Sequence, residues 1–300
     1  MNKTIRRMMR IGFSILAKRG LTRFVPDRTF LKWHYYFSMN RFPDLDHPTT
    51  FNEKLQWLKL YNRRPEYTVM ADKYRVREYV EEKIGKEYLN PLLGVWESPD
   101  EIDFDRLPEK FVLKCNHDSG STVICKEKSG FDRKKAVRFL KKRLRTNYFW
   151  MGREWPYKNI ERRVIAERYM TDGSGSALKD YKFFCFNGRC KALYIATDRG
   201  TDTRYDFYDR DFHHLPLVWE HPNADKELPK PENFDEMIRI AEILSEGIPL
   251  VRVDLYDICG RICFGELTFF HAGGVQPLEP ESFDELFGSW IRLPDQKIVE

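Results

Sequence analysis

An α+β fold is predicted by three observations on this 300-residue chain. Short apolar strands, such as 110–115 and 248–256, alternate with amphipathic segments in no regular βαβ order. That pattern favours mixed sheets with hairpins over a doubly wound sheet. Apolar residues make up 42% of the chain and aromatic residues 15%, which is enough to bury a sizeable core and argues against disorder. The length predicts one large domain or a few small ones.

Charge, apolar runs and cysteine spacing argue against several classes of protein, namely nucleic-acid-binding, membrane-spanning, exported and zinc-binding proteins. The net charge is +5, but residues 1–23 hold seven Lys and Arg and no acid, so the remainder carries about −2. A near-neutral body predicts that nucleic acid is not a partner. We find no apolar run long enough for a membrane span, no signal-peptide pattern, and no zinc spacing among the six cysteines. We therefore expect a cytoplasmic protein with reduced thiols.

Residues 3–19 predict a basic amphipathic helix. On a 3.6-residue period one face carries the apolar side chains Ile5, Met8, Met9, Phe13 and Leu16, and the opposite face carries Lys3, Arg6, Arg7 and Arg10. Two interpretations stay open. Residues 1–23 contact the anionic inner face of the cytoplasmic membrane, or the helix docks its apolar side on the body of the protein.

Further helices are predicted from periodicity and end signals. An aromatic-rich helix and loop occupy 28–46, and Thr50-Phe51-Asn52-Glu53 is a capping box that begins a helix extending to about Tyr61. A helix over about 68–84 ends at Gly85. The remaining predicted helices are 132–146, which is basic and amphipathic, and 234–246.

Strands are predicted where short apolar runs lie between turn signals. They are 88–95, 110–115, 121–126, 163–170, 180–186 and 190–197, followed by a hairpin of 248–256 and 261–269. The hairpin turn contains Asp257 and Gly260, residue types that favour tight turns.

Two carboxylates twelve residues apart, Asp254 and Glu266, lie on the two strands of this hairpin. In such a hairpin they can face each other, and they repel unless a cation lies between them. Mg²⁺ with an ATP phosphate tail suits this role, since Mg²⁺ takes one or two carboxylates plus phosphate oxygens. The alternative is an ordinary edge hairpin whose acids are solvated.

Two other strand ends carry candidate nucleotide contacts. Lys114 ends an apolar strand, and the small polar loop 116–122 that follows can hold phosphates with its backbone N–H groups, although it is not a Walker A loop. The alternative is a simple hairpin turn. Glu167 ends another apolar strand, and the backbone of 168–170 could pair with a flat base. The alternative for Glu167 is a solvated strand residue.

Taken in order, these pieces resemble the ATP-grasp family. Short signatures over about 48–275 are similar to its TupA-like branch, named for teichuronopeptide biosynthesis. These are Thr50-Phe51-Asn52-Glu53-Lys54, Ala71-Asp72-Lys73-Tyr74, Lys114-Cys115-Asn116-His117, Asp180-Tyr181-Lys182-Phe183-Phe184 and Gly265-Glu266-Leu267-Thr268-Phe269. The resemblance implies an ATP-grasp fold, in which two α+β lobes clasp ATP. It implies a basic helical extension (1–47), an N-terminal lobe (48–110), a central lobe (111–187) and a C-terminal lobe with the metal site (188–300).

The resemblance also implies a role for each matching residue. Lys73 and Lys114 would hold the phosphates, and Arg252 with Lys114 would be catalytic. The phosphate-covering loop would include Ser119, Gly120 and Ser121, the adenine hinge Glu167, Tyr169 and Met170, the ribose contact Asp180, and the Mg²⁺ site Asp254, Glu266 and Thr268. Three departures from the family pattern are Thr268 in place of Asn, Asp180 in place of Glu, and a single glycine in the loop.

The implied activity is ATP-dependent amide ligation through an acyl phosphate. An amino acid amine would join a hexuronic acid of a bacterial capsular or cell-envelope polysaccharide, or of its lipid-linked precursor. The alternative is a glycosyltransferase that uses a nucleotide sugar, for which Asp209-Arg210-Asp211 provides an Asp-x-Asp metal motif. A kinase with a hydroxyl acceptor and an ATP-binding membrane adaptor without turnover also stay open.

Overall fold

A computed structural model describes residues 3–172, 178–198, 200, 202–225 and 227–299, with side chains from residue 8 onward. Within these ranges the α-helices are α1 (Lys3–Lys18), α2 (Asp27–Met39), α3 (Phe51–Tyr61), α4 (Glu66–Ala71), α5 (Val76–Ile84), α6 (Arg133–Leu144), α7 (Phe149–Gly152), α8 (Phe234–Leu244) and α9 (Ser282–Trp290). The capping box predicted at Thr50 is confirmed, since its hydroxyl accepts the Glu53 N–H and the Glu53 carboxylate accepts the Thr50 N–H.

The strands are β1 (Leu92–Trp96), β2 (Phe111–Cys115), β3 (Val123–Cys125), β4 (Val164–Arg168), β5 (Asp180–Phe186), β6 (Arg189–Thr197), β7 (Arg204–Asp209), β8 (His214–Leu215), β9 (Leu250–Ile258) and β10 (Arg261–Thr268). They form two antiparallel sheets. One has the order β1-β4-β2-β3 and the other the order β10-β9-β5-β6-β7-β8. Helices and antiparallel sheets in this mixture confirm the α+β prediction.

Each sheet has its own apolar core. The larger core packs the six-stranded sheet against α3, α5, α8 and α9, and the smaller one packs the four-stranded sheet against α6. A third cluster joins α1 and α2 to α3. The proposed lobe boundaries stay a prediction. Strand β5, however, pairs with β6 and β9, so it lies in the six-stranded sheet rather than beside β2 and β4.

The single helix predicted over 68–84 is wrong, because the chain breaks between α4 and α5. The Asp72 carboxylate accepts the N–H groups of Tyr74 and Arg75 at 2.8 and 3.3 Å, and the Asn116 amide at 2.9 Å. An Asp side chain that binds nearby backbone N–H groups competes with helical hydrogen bonding. The break lifts Lys73 out of helical geometry and places it beside the loop after β2.

The hairpin of β9 and β10 confirms the predicted pairing and adds a bulge. Residues Phe264 and Glu266 lie opposite Leu255 and Asp254, so Gly265 is an extra residue on its strand. A Cβ at Gly265 would lie 3.0 Å from the Asp254 carbonyl oxygen, which explains why glycine occupies the bulge. The bulge shifts the register by one residue, and this shift brings Glu266 opposite Asp254.

Candidate functional site

Three neighbouring strands align a row of charged side chains in the six-stranded sheet. Lys182 on β5 lies opposite Asp254 on the central strand β9, and Glu266 on β10 lies opposite Asp254 from the other side. Lys182 Nζ forms a short ion pair with Asp254 and a second one with Asp180 at 3.4 Å. Lys182 and Asp254 are buried, whereas 37% of the Glu266 side chain is exposed. A ligand can therefore reach this row from the β10 side.

Arg252, on the same strand as Asp254, donates hydrogen bonds to several residues of this row. Its Nε and Nη2 bond to both oxygens of Asp254 at 2.7 and 2.8 Å. Nη2 also reaches the Thr268 hydroxyl at 3.0 Å and Glu266 Oε1 at 3.4 Å. A bidentate arginine–carboxylate pair fixes geometry as well as charge. Arg252 is therefore held in place by the two acids that were predicted to bind metal.

Lys73 links the two sheets. From the break between α4 and α5, its Nζ lies 3.4 Å from Glu266 Oε2 and donates to the Asp118 carbonyl at 2.8 Å. Its own N–H donates to the Asn116 carbonyl at 3.1 Å. The first predicted phosphate lysine thus lies between the acidic pair and the loop after β2.

Lys114, the second predicted phosphate lysine, is paired within the four-stranded sheet. Its Nζ contacts Glu167 Oε2 at 2.6 Å, from β2 to the adjacent strand β4. Arg77 approaches the other Glu167 oxygen at 3.9 Å. Glu167 is buried by this pairing, so it is not the solvated residue of the alternative interpretation.

The predicted adenine hinge follows β4. The Arg168 backbone is already bonded: its N–H donates to Pro91 and its carbonyl accepts from the Asn90 amide, at 3.1 and 2.9 Å. Tyr169 and Met170 come next and are half-buried. Residues 168–170 were predicted to contact a base through their backbone. The Arg168 backbone is instead hydrogen-bonded within the protein, and the roles of Tyr169 and Met170 stay a prediction.

The loop between β2 and β3 is anchored on one side and open on the other. Arg143 of α6 binds the Asp118 carboxylate at 2.6 Å, and the Ser121 hydroxyl accepts the Cys115 N–H at 2.9 Å. Ser119 and Gly120 are exposed, and Gly120 has a φ of +80° that favours glycine. The exposed pair can therefore offer backbone N–H groups to a ligand, whereas the Ser121 side chain holds the loop together.

The electrostatics of the site favour a negative charge at Glu266. Burial alone would raise the pKa of Glu266, but Lys73, Lys182, Arg252 and Lys114 lower that pKa to about 2. Burial also opposes the charge of Arg252, yet Asp254, Tyr194 and Glu266 keep its pKa well above the usual value. Four cations from both sheets thus act on one ionised carboxylate. Each of these cations also has a carboxylate partner in the protein, and such side-chain partners can be exchanged for the phosphates of a ligand.

The donor set of the acidic pair fits Mg²⁺. Asp254, the ionised Glu266 and the hydroxyl of Thr268, which bonds to Glu266 at 3.3 Å, supply hard oxygen ligands. Thr268 would offer a hydroxyl where the family has an amide oxygen. The Asp180 carboxylate, predicted to bind ribose, is buried and pairs with Lys182, so in this structure it faces the site's own cation.

Sequence reasoning left Lys182 without an assigned role, and it did not find the partners of Arg252. The Arg252 guanidinium bonds to Nδ1 of buried His271, and the other ring nitrogen lies 3.8 Å from Glu220. Burial first, and then Arg252 and Lys182, lower the pKa of His271 well below its usual value, so the ring is neutral and accepts from Arg252. The sequence did contain a signal for Lys182: Asp180 and Lys182 are two residues apart in an otherwise apolar strand, so both lie on one face of the sheet.

The Asp-x-Asp motif of the glycosyltransferase alternative begins at the last residue of β7 and continues into the turn that follows. Asp209 accepts the N–H groups of Asp211 and His213 at 2.9 and 2.8 Å, and Arg210 pairs with Glu242. Asp209, Asp211 and His213 bring three ligand atoms within 4.8 Å of one another. However, β5 and β6 separate this turn's strand from β9. The motif therefore shapes a turn and does not join the charged row.

Two further observations concern the cysteines and the length of the helices. In the described part of the chain, which includes all six cysteines, every cysteine is a free thiol. Among the described residues, no helix has the length and apolar character needed to cross a bilayer.

Comparison with known proteins identifies the family. The model of a family described as TupA-like ATPgrasp matches residues 53–292, most of the chain. No curated protein matches the sequence. The chain is similar to the solved D-alanine–D-alanine ligase from Bacillus anthracis complexed with ATP, at 14% identity and a TM-score of 0.40, over 67% of this chain and 54% of that chain. It thus spans about half the length of that ligase.

Two other solved structures give similar values. D-alanine–D-alanine ligase from Helicobacter pylori is 12% identical, with a TM-score of 0.42, over 81% of this chain and 69% of that chain. N5-carboxyaminoimidazole ribonucleotide synthetase from Thermus thermophilus is 11% identical, with a TM-score of 0.41, over 73% of this chain and 51% of that chain. The family match agrees with the signatures seen in the sequence and confirms an ATP-grasp fold. The chain belongs to the TupA-like ATP-grasp family.

Proposed function

We propose that this chain is an ATP-dependent carboxylate–amine ligase that works through an acyl phosphate. The observation that carries the proposal is the convergence of Lys73, Lys182 and Arg252 on the acidic pair, with Lys114 also acting on Glu266. Membership of the TupA-like ATP-grasp family supports the same reaction class.

Each residue has a physical task in this reaction. The lysines would neutralise the phosphate tail of ATP, and Asp254 with Glu266 would hold Mg²⁺. When bound, the metal would supply charge neutralisation at the phosphate oxygens. The exposed loop at Ser119 and Gly120 would cover the phosphates and exclude water, because an acyl phosphate hydrolyses readily.

Atoms and charges balance over two steps. An oxygen of the substrate carboxylate bonds to the γ-phosphorus of ATP while the bond to ADP breaks. The amine nitrogen then bonds to the acyl carbon, inorganic phosphate leaves, and the nitrogen loses one proton. Arg252 would stabilise the negative charge on the tetrahedral oxygen, a role worth about 3 to 4 kcal/mol for one such donor. His271 would keep the guanidinium oriented while it does so.

We further propose that the carboxylate belongs to a hexuronic acid of a capsular or cell-envelope polysaccharide, or of its lipid-linked precursor, and that the amine belongs to an amino acid. The resemblance to the TupA-like branch motivates this choice. The half-buried rings of Tyr205 and His221 support it: they pack at 4.6 Å, and Tyr205 also packs at 4.6 Å on buried Tyr194, whose ring lies 5.8 Å from the Arg252 guanidinium. Aromatic rings next to a cation suit an acidic sugar.

The test is nucleotide consumption by the purified protein. Mg²⁺-ATP is supplied with a panel of amino acids and a hexuronic-acid oligosaccharide. We expect ADP and phosphate release that requires both the carboxylate and the amine, together with an amide product. ATP use that needs no amine and yields a stable phosphorylated product would instead assign a kinase. Hydrolysis of a nucleotide sugar without ATP use would contradict the proposal.

A matched pair of variants assigns the activity to the site. Glu266→Gln removes the ionised carboxylate of the row. Glu236→Gln is the control, because Glu236 on α8 is exposed to the same extent (38% against 37%) and is also paired with a cation, Arg239. Only the first substitution should abolish ADP release.

A further inference from the structure

Helix α1 presents most of its apolar side chains to solvent. Met8, Met9, Ile11, Ile15 and Leu16 are exposed, as are Leu21 and Phe24 just after the helix, with Phe24 at 97%. We call these seven residues the N-terminal apolar surface. They are seven of the fifteen large apolar side chains that are exposed in the described part of the chain, although they come from a segment of only 17 residues. Such a concentration marks an interaction surface.

The orientation of this surface is fixed by the opposite side of the helix. Phe13 packs on Phe30 and Phe37 of α2, with ring centroids 4.9 and 5.4 Å apart, and Ala17 is buried. Phe13 was predicted to share a face with Met8 and Met9. It points to the body instead, because α2 offers it an aromatic pocket. The docking interpretation therefore holds for Phe13 and Ala17 and not for the exposed residues.

The segment after α1 is also held firmly. The buried guanidinium of Arg153 donates to the Thr22 carbonyl at 2.7 Å and pairs with Asp27 at 2.7 Å. Met8, Ile11 and Ile15 are spaced by three and four residues, so they form one line along the helix on the side away from the body. A Cβ added at Gly12 would meet no atom within 4 Å, which shows that the flank of this line is open.

The positive charge of residues 1–23 favours an anionic partner. Residues 1–23 contain seven Lys and Arg and no acid. Like charges of this number would repel a second copy of the same surface. An anionic partner would instead gain electrostatic attraction at the rim and apolar burial at the centre.

We propose that the N-terminal apolar surface binds the headgroup region of an anionic lipid bilayer, with α1 parallel to the membrane plane. The exposed apolar line inserts between acyl chains, and basic residues such as Lys18 and Arg19 contact lipid phosphates. This is peripheral binding rather than a span. The inference does not depend on the proposed ligase activity, so either one can fail without the other.

Vesicle co-sedimentation of the full-length protein tests the proposal. The vesicles contain phosphatidylcholine with about 30% phosphatidylglycerol, or phosphatidylcholine alone. We expect partitioning into the anionic vesicles, weakened by salt, and little into the neutral ones. Ile11→Asn with Ile15→Asn should lower the partition coefficient at least about tenfold, since both side chains would enter the apolar layer. Lys18→Gln with Arg19→Gln should lower it by roughly fivefold or more.

The control replaces two apolar residues of similar exposure elsewhere. Ile124→Asn with Leu286→Asn changes side chains that are 49% and 42% exposed, against 47% and 45% for Ile11 and Ile15. This control should bind vesicles like the wild type. Equal binding by the Ile11/Ile15 variant, or no binding of the wild type to anionic vesicles, would overturn the proposal. A concentration-dependent dimer in sedimentation velocity, abolished by the Ile11/Ile15 variant, would assign the surface to a second copy and overturn it too.

Discussion

Buried charges gather at two places in this molecule, and the central cation of each has different partners. In the candidate site the partners of Arg252 are side chains, among them Asp254 and Thr268. Between the N-terminal helices, residues 149–157 and residues 271–274, by contrast, Lys59 donates to the backbone carbonyls of Gly152 and Gly273, at 2.9 and 2.7 Å. Side chains can exchange partners with a ligand, whereas a backbone carbonyl can do so only if its segment moves. Burial of charge alone therefore does not identify a ligand site.

The pKa values of the two clusters shift in opposite directions. Burial raises the pKa of Glu154 to about 7, against the opposing charge of Lys59, and burial lowers the pKa of Lys59 to about 8. In the candidate site the positive charges outweigh burial, and the pKa of Glu266 falls to about 2. Burial therefore dominates the pKa of Glu154, whereas the surrounding cations dominate the pKa of Glu266 and keep that carboxylate ionised.

Glu266→Gln should reduce turnover more than any other single substitution considered for the site. The substitution removes one of the two carboxylates proposed to hold Mg²⁺ and the negative charge that Lys73 and Arg252 contact at this position. We expect ATP turnover to fall by about a thousandfold, with the folded state retained. Initial rates of ADP release, compared with Glu236→Gln, measure this loss. Activity within threefold of wild type would show that the charged row is not the site of chemistry.

Arg153→Met tests the other cluster. Arg153 is fully buried and binds Asp27 and the Thr22 carbonyl, so its loss leaves the carbonyl without this donor and leaves Asp27 with Arg63 as its partner. We expect the free energy of unfolding to fall by about 1 to 3 kcal/mol. Urea titration measures it. The affinity of the folded fraction for Mg²⁺-ATP should not change. A large loss of affinity for Mg²⁺-ATP at unchanged stability would show that the cluster around Arg153 also acts in nucleotide binding.

Lys182→Met tests whether a bound cation can replace a cationic side chain as the partner of the buried acids in the site. Without Lys182 the buried Asp254 and Asp180 lose a shared cation, so the ligand-free protein should be destabilised. Mg²⁺ alone should then restore stability by more than about 1 kcal/mol, because it can replace the missing positive charge. Thermal unfolding with and without Mg²⁺ measures the rescue. An equal response of the wild type and the variant would argue against metal binding at Asp254.

The smallest expected effect is a pH dependence of stability. The pKa of Glu266 is lowered to about 2 in the folded state, so its contribution is fully present above its usual pKa of 4.5 and is lost as the pH falls toward 2. Urea midpoints between pH 5 and pH 3 should therefore decline more steeply for the wild type than for Glu266→Gln. Parallel declines would mean that the cations do not act on this carboxylate.

Local signals predicted much of the fold and the acidic pair. The capping box at Thr50 and the turn at Asp257 to Gly260 act over a few residues, so sequence alone located α3 and the β9–β10 hairpin. The facing of Asp254 and Glu266 followed from the same hairpin. Its register depends on the bulge at Gly265, which the sequence only hinted at through the residue type.

What could not be predicted depends on long-range contacts. The break before Lys73 is stabilised by Asn116, 44 residues away. Helix α9 was not predicted, and its Asp284 accepts the Asn52 N–H across 232 residues. The short strands β7 and β8 were also missed, because they lie at the sheet edge and carry mixed polar residues. The role of Lys182 needed the pairing of β5 with β9, which joins residues 72 apart.

Mg²⁺-ATP binding, measured by calorimetry for the wild type, Glu266→Gln and Glu236→Gln side by side, tests whether the charged row is the nucleotide site. The charged row predicts a single nucleotide site in the wild type and in Glu236→Gln that depends on the metal. It predicts an affinity at least about tenfold weaker in Glu266→Gln. Equal affinity in all three proteins, or wild-type affinity independent of Mg²⁺, would contradict the assignment of this site.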